Sequence, residues 1–166
     1  MDMQKIETIL GLAIQTEIDG YEFYMQAAGR TADPAGQQLF RSLAAEEVEH
    51  RRWLETQLMA VQAGEGWLAH EGRPAPVERA PIFQPGRLQQ EVSAYTAELS
   101  ALRMALLIEA DAVTFYSQAA AAVGDEQARQ LFLDLVRMEE GHRNALQREY
   151  DVLAERFRGA MGFAPF

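Results

Sequence analysis

There is no cysteine among the 166 residues. That excludes disulfides, Cys-based zinc sites and Cys-ligated iron–sulfur centres. Long apolar runs are missing too: a run such as Met104 to Ile108 is far too short to span a bilayer. The N-terminus, MDMQKIETILGL, opens with an acid and breaks its apolar stretch at Lys5 and Glu7, unlike a signal peptide. Basic residues are scarce, with 15 Lys and Arg against 25 Asp and Glu and a net charge of −10. Binding to a phosphate backbone needs clustered Lys and Arg, so nucleic acid is not expected as a partner. The absences together describe a cytoplasmic protein without a membrane segment. A length of this order fits a single domain with a real core, residues 1–166.

Proline and glycine are also sparse outside one region, and what they leave uninterrupted reads as four helices. The first runs from about Met3 to Gly29, where Leu10, Ile14, Glu17, Tyr21 and Tyr24 recur at three- and four-residue steps. TADPAG, residues 31–36, stops it; Asp33 is placed to cap a second helix with Pro34 at its first position. That helix aligns Leu39, Leu43, Glu47, His50 and Leu54 on one face and fades near Gly64. Residues 64–87 hold four Pro and four Gly without helical period, a long connection. A third helix begins between Leu88 and Ser100 and runs to about Val123. A fourth runs from about Glu126 to Arg156, before an irregular tail, 157–166. The two helical hairpins thus span about 3–62 and 92–156, joined by a crossover at about 63–91.

The sequence AAEEVEHRRW, residues 44–53, sets Glu47 three residues before His50. Alone this is an ordinary charged helix face. A shift of 92 residues changes its meaning. AIQTEIDGYEFYMQAA from Ala13 matches ALLIEADAVTFYSQAA from Ala105, and QLFRSLAAEEVEHR from Gln38 matches QLFLDLVRMEEGHR from Gln130. Laid without a gap on 105–150, residues 13–58 are identical at 17 of 46 positions. A duplicated hairpin accounts for matching Leu and Ala. It does not account for Glu17 with Glu109, Glu47 with Glu139 and His50 with His142 on apolar stripes. Buried carboxylates are costly unless a cation or a partner compensates them. Four Glu and two His in register therefore point to metal. The third histidine, His70, has no equivalent and reads as a surface residue.

Helix geometry agrees. Glu17 lies 14 residues before Thr31 and Glu47 lies 13 after Pro34, so both stand roughly 20 Å from the first turn. Glu109 and Glu139 lie 15 before Gly124 and 14 after Asp125, again roughly 21–22 Å from their turn. Two hairpins packed with their turns at opposite ends bring all four acids to one level. The second and third helices must then run parallel, which requires a crossover as long as the bundle. The 24-residue connection reaches about 80 Å when extended, enough to return along helices of about 40 Å. The resulting donor set, four carboxylates and two imidazoles, suits two divalent ions, with iron or manganese favoured over copper and zinc also fitting. It is the constellation known from ferritin-like di-iron bundles.

At Glu17, Glu47-x-x-His50, Glu109 and Glu139-x-x-His142 the sequence resembles the rubrerythrin-like branch of the ferritin-like superfamily, over residues 3–62 and 92–155. The resemblance implies an all-α, ferritin-like four-helix bundle. It implies two bound iron ions that reduce peroxide or dioxygen with electrons from an external electron-transfer protein, an oxidative-stress activity. Iron binding or ferroxidase-type iron handling is the alternative, and a metal that only stabilises the fold is a third. The resemblance also places Tyr24 and Tyr116 near the metals as hydrogen-bond donors; as residues alone they fit an amphipathic core equally well. Two departures stand out. Rubrerythrins usually carry a further carboxylate one turn after the third-helix Glu, and here that position is Ala112. They usually carry a four-cysteine rubredoxin-like domain, and this sequence has no cysteine. A homodimer is expected, with Trp67, Ile82, Phe83, Phe163 and Phe166 as apolar candidates for its interface or as covers for the bundle ends. Exchange of hairpins between subunits is also compatible with the sequence.

Overall fold

The structure is a computed structural model, and it describes residues 3–68 and 92–161. Helix α1 spans Met3–Arg30 and α2 spans Pro34–Gln62, the latter opened by Asp33, whose carboxylate accepts the Ala35 N–H, with Pro34 at the first position. Helix α3 spans Val92–Ala122 and α4 spans Glu126–Ala160, opened by Asp125, which accepts from the N–H groups of Gln127 and Ala128 at 2.8 and 3.0 Å. Each cap satisfies backbone donors that a helix start leaves without partners. No strand occurs among the described residues, and none of their helices is long and apolar enough to cross a membrane.

The expected ends hold to within a residue or so except at the last. Helix α4 continues past the expected stop at Arg156, so residues 157–160 are helical and not part of an irregular tail. Phe157 explains the extra turn: it packs, half-buried, against the core cluster around Leu146 and Leu153. Residues 69–91 and 162–166 lie outside the described residues, and with them His70, Ile82, Phe83, Phe163 and Phe166. Trp67 is described. It sits edge-on to Phe132 with ring centroids 6.5 Å apart, so it covers this chain's own core.

Helices α1 and α2 pack as one pair, α3 and α4 as another, and α1 also meets α3. Side-chain contacts fix the directions. Tyr24 reaches Glu109 while Tyr116 reaches Glu17, so α1 and α3 are antiparallel. His50 reaches Glu139 while His142 reaches Glu47, so α2 and α4 are antiparallel. It follows that α2 and α3 are parallel, as the long connection demanded. The Asp33 N–H, at the start of α2, donates to Glu98 near the start of α3 at 3.2 Å, in keeping with that direction. The fold is the all-α four-helix bundle expected.

Two apolar clusters divide the interior. One gathers Leu10, Leu54, Tyr116, Phe132 and Leu135. The other gathers Leu102, Leu146, Tyr24, Phe40 and Leu43, the repeat equivalents of those residues. The hydrophobic effect closes the bundle at both levels, and the polar residues of the repeat lie between the two.

Candidate metal centre

The pitch of each helix decides which side chains meet at that middle level. On α2 and α4 the three-residue step from Glu to His puts both side chains on one face. On α1 and α3 the single Glu of each stripe comes to the same level. Glu17, Glu47, His50, Glu109, Glu139 and His142 are all buried, none more than 5% exposed. All six residues read from the sequence are brought together.

The two imidazoles stack, with ring centroids 5.5 Å apart and planes inclined by 16°. Nδ1 of His50 lies 3.1 Å from Glu17, 3.3 Å from Glu47 and 3.2 Å from Glu139. Nδ1 of His142 lies 3.0 Å from Glu139, 3.4 Å from Glu47 and 3.4 Å from Glu109. Two overlapping sets result. In one, donor atoms of Glu17, Glu47, His50 and Glu139 lie within 4.8 Å of one another; in the other, those of Glu47, Glu109, Glu139 and His142 do. Glu47 and Glu139 belong to both, whereas Glu17 and Glu109 belong to one each.

The phenols cross between the halves. Tyr24 donates to Glu109 and Tyr116 donates to Glu17, both buried. Each ring also stacks on a phenylalanine of its own half, Tyr24 on Phe40 and Tyr116 on Phe132. Burial, and then the Glu109 charge, pushes the Tyr24 phenol well up; burial and then Glu17 do the same to Tyr116. Both therefore remain protonated donors.

So many acids in so little space cannot all stay ionised. Burial first, and then repulsion from Glu139, raises Glu109 to about 8. Burial, then Glu139 and Glu47, raises Glu17 well above the usual range. Burial also opposes ionisation of Glu139, but the His50 and His142 cations outweigh it and hold that carboxyl well below the usual range. Glu47 is lowered as well: burial and Glu139 push it up, but the adjacent His142 and His50 imidazoles prevail. Burial should discharge the imidazoles, yet Glu139 and the surrounding carboxylates raise both well above 6.5. Without metal, burial and mutual repulsion thus favour protons on Glu17 and Glu109, and the surrounding carboxylates favour protons on the imidazoles.

The donor set fits a metal. Both carboxylate oxygens of Glu139 and Nδ1 of His142 are buried without a satisfactory hydrogen-bond partner. Native interiors rarely leave such atoms unpaired, and an ion is one standard reason. The set is all oxygen and imidazole nitrogen, the donor type of iron, manganese or zinc. Sequence reasoning missed two residues. Glu46 accepts from Nε2 of His142 at 3.1 Å; its only sequence signal is that it adjoins Glu47. Gly20 lies against Glu47, where an added Cβ would come within 3.5 Å of that side chain. Its repeat equivalent is Ala112, buried in the apolar cluster with Tyr116.

The Rubrerythrin family model matches residues 8–150. No curated protein matches the chain. Among solved structures, a hypothetical protein from Pyrococcus furiosus is similar at 27% identity and a TM-score of 0.67, with 93% of this chain and 97% of that one covered. A bacterioferritin-related dodecameric thioferritin from Bacteroides fragilis is similar in fold, at 18% identity and a TM-score of 0.57, with 96% and 92% covered. With this ancestry, the buried cluster is a site of metal-binding kind.

Proposed function

This chain belongs to the rubrerythrin family, and on that premise we propose that its buried cluster holds two iron ions and reduces peroxide or dioxygen with electrons from an external protein. The observation that carries the reading is the sharing of Glu47 and Glu139 between two donor sets, with atoms of Glu139 and His142 at the centre left without a hydrogen-bond partner. Glu47 and Glu139 would be common to both ions, Glu17 and His50 would complete one position, and Glu109 and His142 the other.

Bound ferrous ions would supply Lewis acidity and two electrons to the oxidant. The chain's own residues do the rest. Tyr24 and Tyr116 orient Glu109 and Glu17 through buried hydrogen bonds and hold protons that a reduced oxygen product needs. The apolar clusters above and below keep bulk water away from the charged level, which strengthens every electrostatic interaction there.

One observation favours a second reading, iron binding and oxidation for iron handling. The position where rubrerythrins usually have an extra carboxylate is Ala112, buried among apolar side chains. Turnover separates the two. Ferrous protein supplied with peroxide and an excess chemical electron donor is expected to consume many equivalents of peroxide per chain. Oxidation that stops after one round, with ferric ion released or retained, replaces the reductase reading with iron handling.

A further inference from the structure

We infer that the two metal positions are unequal, and that Glu46 makes the position containing His142 the tighter of the two. The inference rests on the dimetal reading above and adds a residue that the repeat does not supply twice.

The inner shell of the cluster is nearly symmetric. Each His–Glu contact of one half has its equivalent in the other: His50 to Glu17 with His142 to Glu109, His50 to Glu47 with His142 to Glu139, and His50 to Glu139 with His142 to Glu47. The phenols are symmetric as well, since Tyr24 on Glu109 repeats Tyr116 on Glu17. Gly20 and Ala112, equivalent positions beside the acids, carry no polar group. The kinds of residue in this shell therefore do not distinguish the two positions; the chemical difference lies outside it.

It comes at the far side of the imidazoles. His142 turns Nδ1 to the acids and Nε2 to Glu46, 3.1 Å away. The repeat equivalent of Glu46, 92 residues on, is Met138, buried in the apolar cluster with Leu54. The contacts of His50 with acids among the described residues all run through Nδ1. A thioether is at best a weak acceptor. A carboxylate behind a ligating imidazole fixes its tautomer, locks the ring and makes the ligating nitrogen more basic; losing such a partner typically costs roughly 10–100-fold in metal affinity. Glu46 is partly exposed, its side chain at 27%, so its positioning effect on His142 outweighs its screened charge. Glu46 is a positioning residue that acts through His142.

Zinc titration of the metal-free full-length protein tests this, followed by ¹⁵N NMR of its three histidines. The His142 signal should shift with the first equivalent and the His50 signal with the second. In Glu46→Met the tighter step should weaken by about 10–100-fold, so that both signals move together. Met138→Glu should tighten the His50 position, and the double exchange Glu46→Met with Met138→Glu should reverse the order. Helical content read by circular dichroism confirms that each variant is folded, and Met138→Glu tests the claim even if Glu46→Met is not. Simultaneous shifts in the wild-type protein, or an order untouched by the double exchange, overturn the inference while leaving two zinc ions bound. Failure to bind zinc at all overturns the dimetal reading itself.

Discussion

Glu17 and Glu109 show how much a side chain's chemistry depends on its surroundings. Each is a glutamate on an apolar stripe, and each is held by a tyrosine from the opposite repeat. In the metal-free protein Glu109 keeps its proton up to about 8, whereas an unfolded chain releases it near 4.5. The folded state therefore binds more protons across that window, and stability falls as pH rises through it. Glu17 acts in the same direction. His50 and His142 contribute fully below 6.5 and lose that contribution as pH climbs through their raised values. Glu47 and Glu139, both lowered, contribute fully above 4.5 and lose it only on further acidification. The metal-free protein should melt highest near about pH 5 and progressively lower toward about pH 8.5, as read by circular dichroism in chelator. The metal-loaded protein should show the opposite slope, because the ligands must shed their protons to bind. A flat profile without metal would contradict the proton-compensated cluster. Tyr116→Phe removes the donor to Glu17 and should cost about 1–3 kcal/mol of stability, measurable by denaturant unfolding. Tyr24→Phe should cost a similar amount through Glu109.

At the scale of elements, Asp33 and Asp125 start equivalent helices; Asp33 was legible as a cap because Asp before Pro and a helical pattern has a local cause, whereas the cap at Asp125 came from the structure. Asp125→Ala should cost about 1 kcal/mol, a fall in melting temperature of about 2–4 °C for a chain of this size, with metal stoichiometry unchanged. A change in metal content would mean that the α4 start positions the site and does not merely stabilise the helix. The end of α4 was less legible. Arg156 precedes a Gly-containing stretch, but Phe157 finds a tertiary contact and the helix follows it. Trp67 was equally ambiguous, since an aromatic in a Pro-rich connection fits an interface or a cover for the bundle end; the structure shows it packed on Phe132 of this chain's own core. The crossing hydrogen bonds of Tyr24 and Tyr116 could be anticipated only through resemblance, because helical periodicity gives a buried face and not a partner 85 or 99 residues away.

The whole molecule is a hairpin used twice. Duplication is what made the metal cluster readable, because Glu and His recurring in register have no packing reason to do so. The parallel course of α2 and α3 was readable from the length of the connection, and the contacts across both helix pairs agree with it. Departures from the repeat were the part that sequence comparison passed over. Glu46 opposite Met138 is one mismatch among many until the structure puts Glu46 on His142. Which acids are shared was likewise out of reach until the helices were set against one another. The most direct test of the central claim is metal content per chain after anaerobic ferrous loading, followed by a peroxide pulse watched by absorbance. The account predicts two irons per chain and a new near-ultraviolet absorption from an oxygen-bridged ferric pair. One iron or none, with no such absorption, would contradict it.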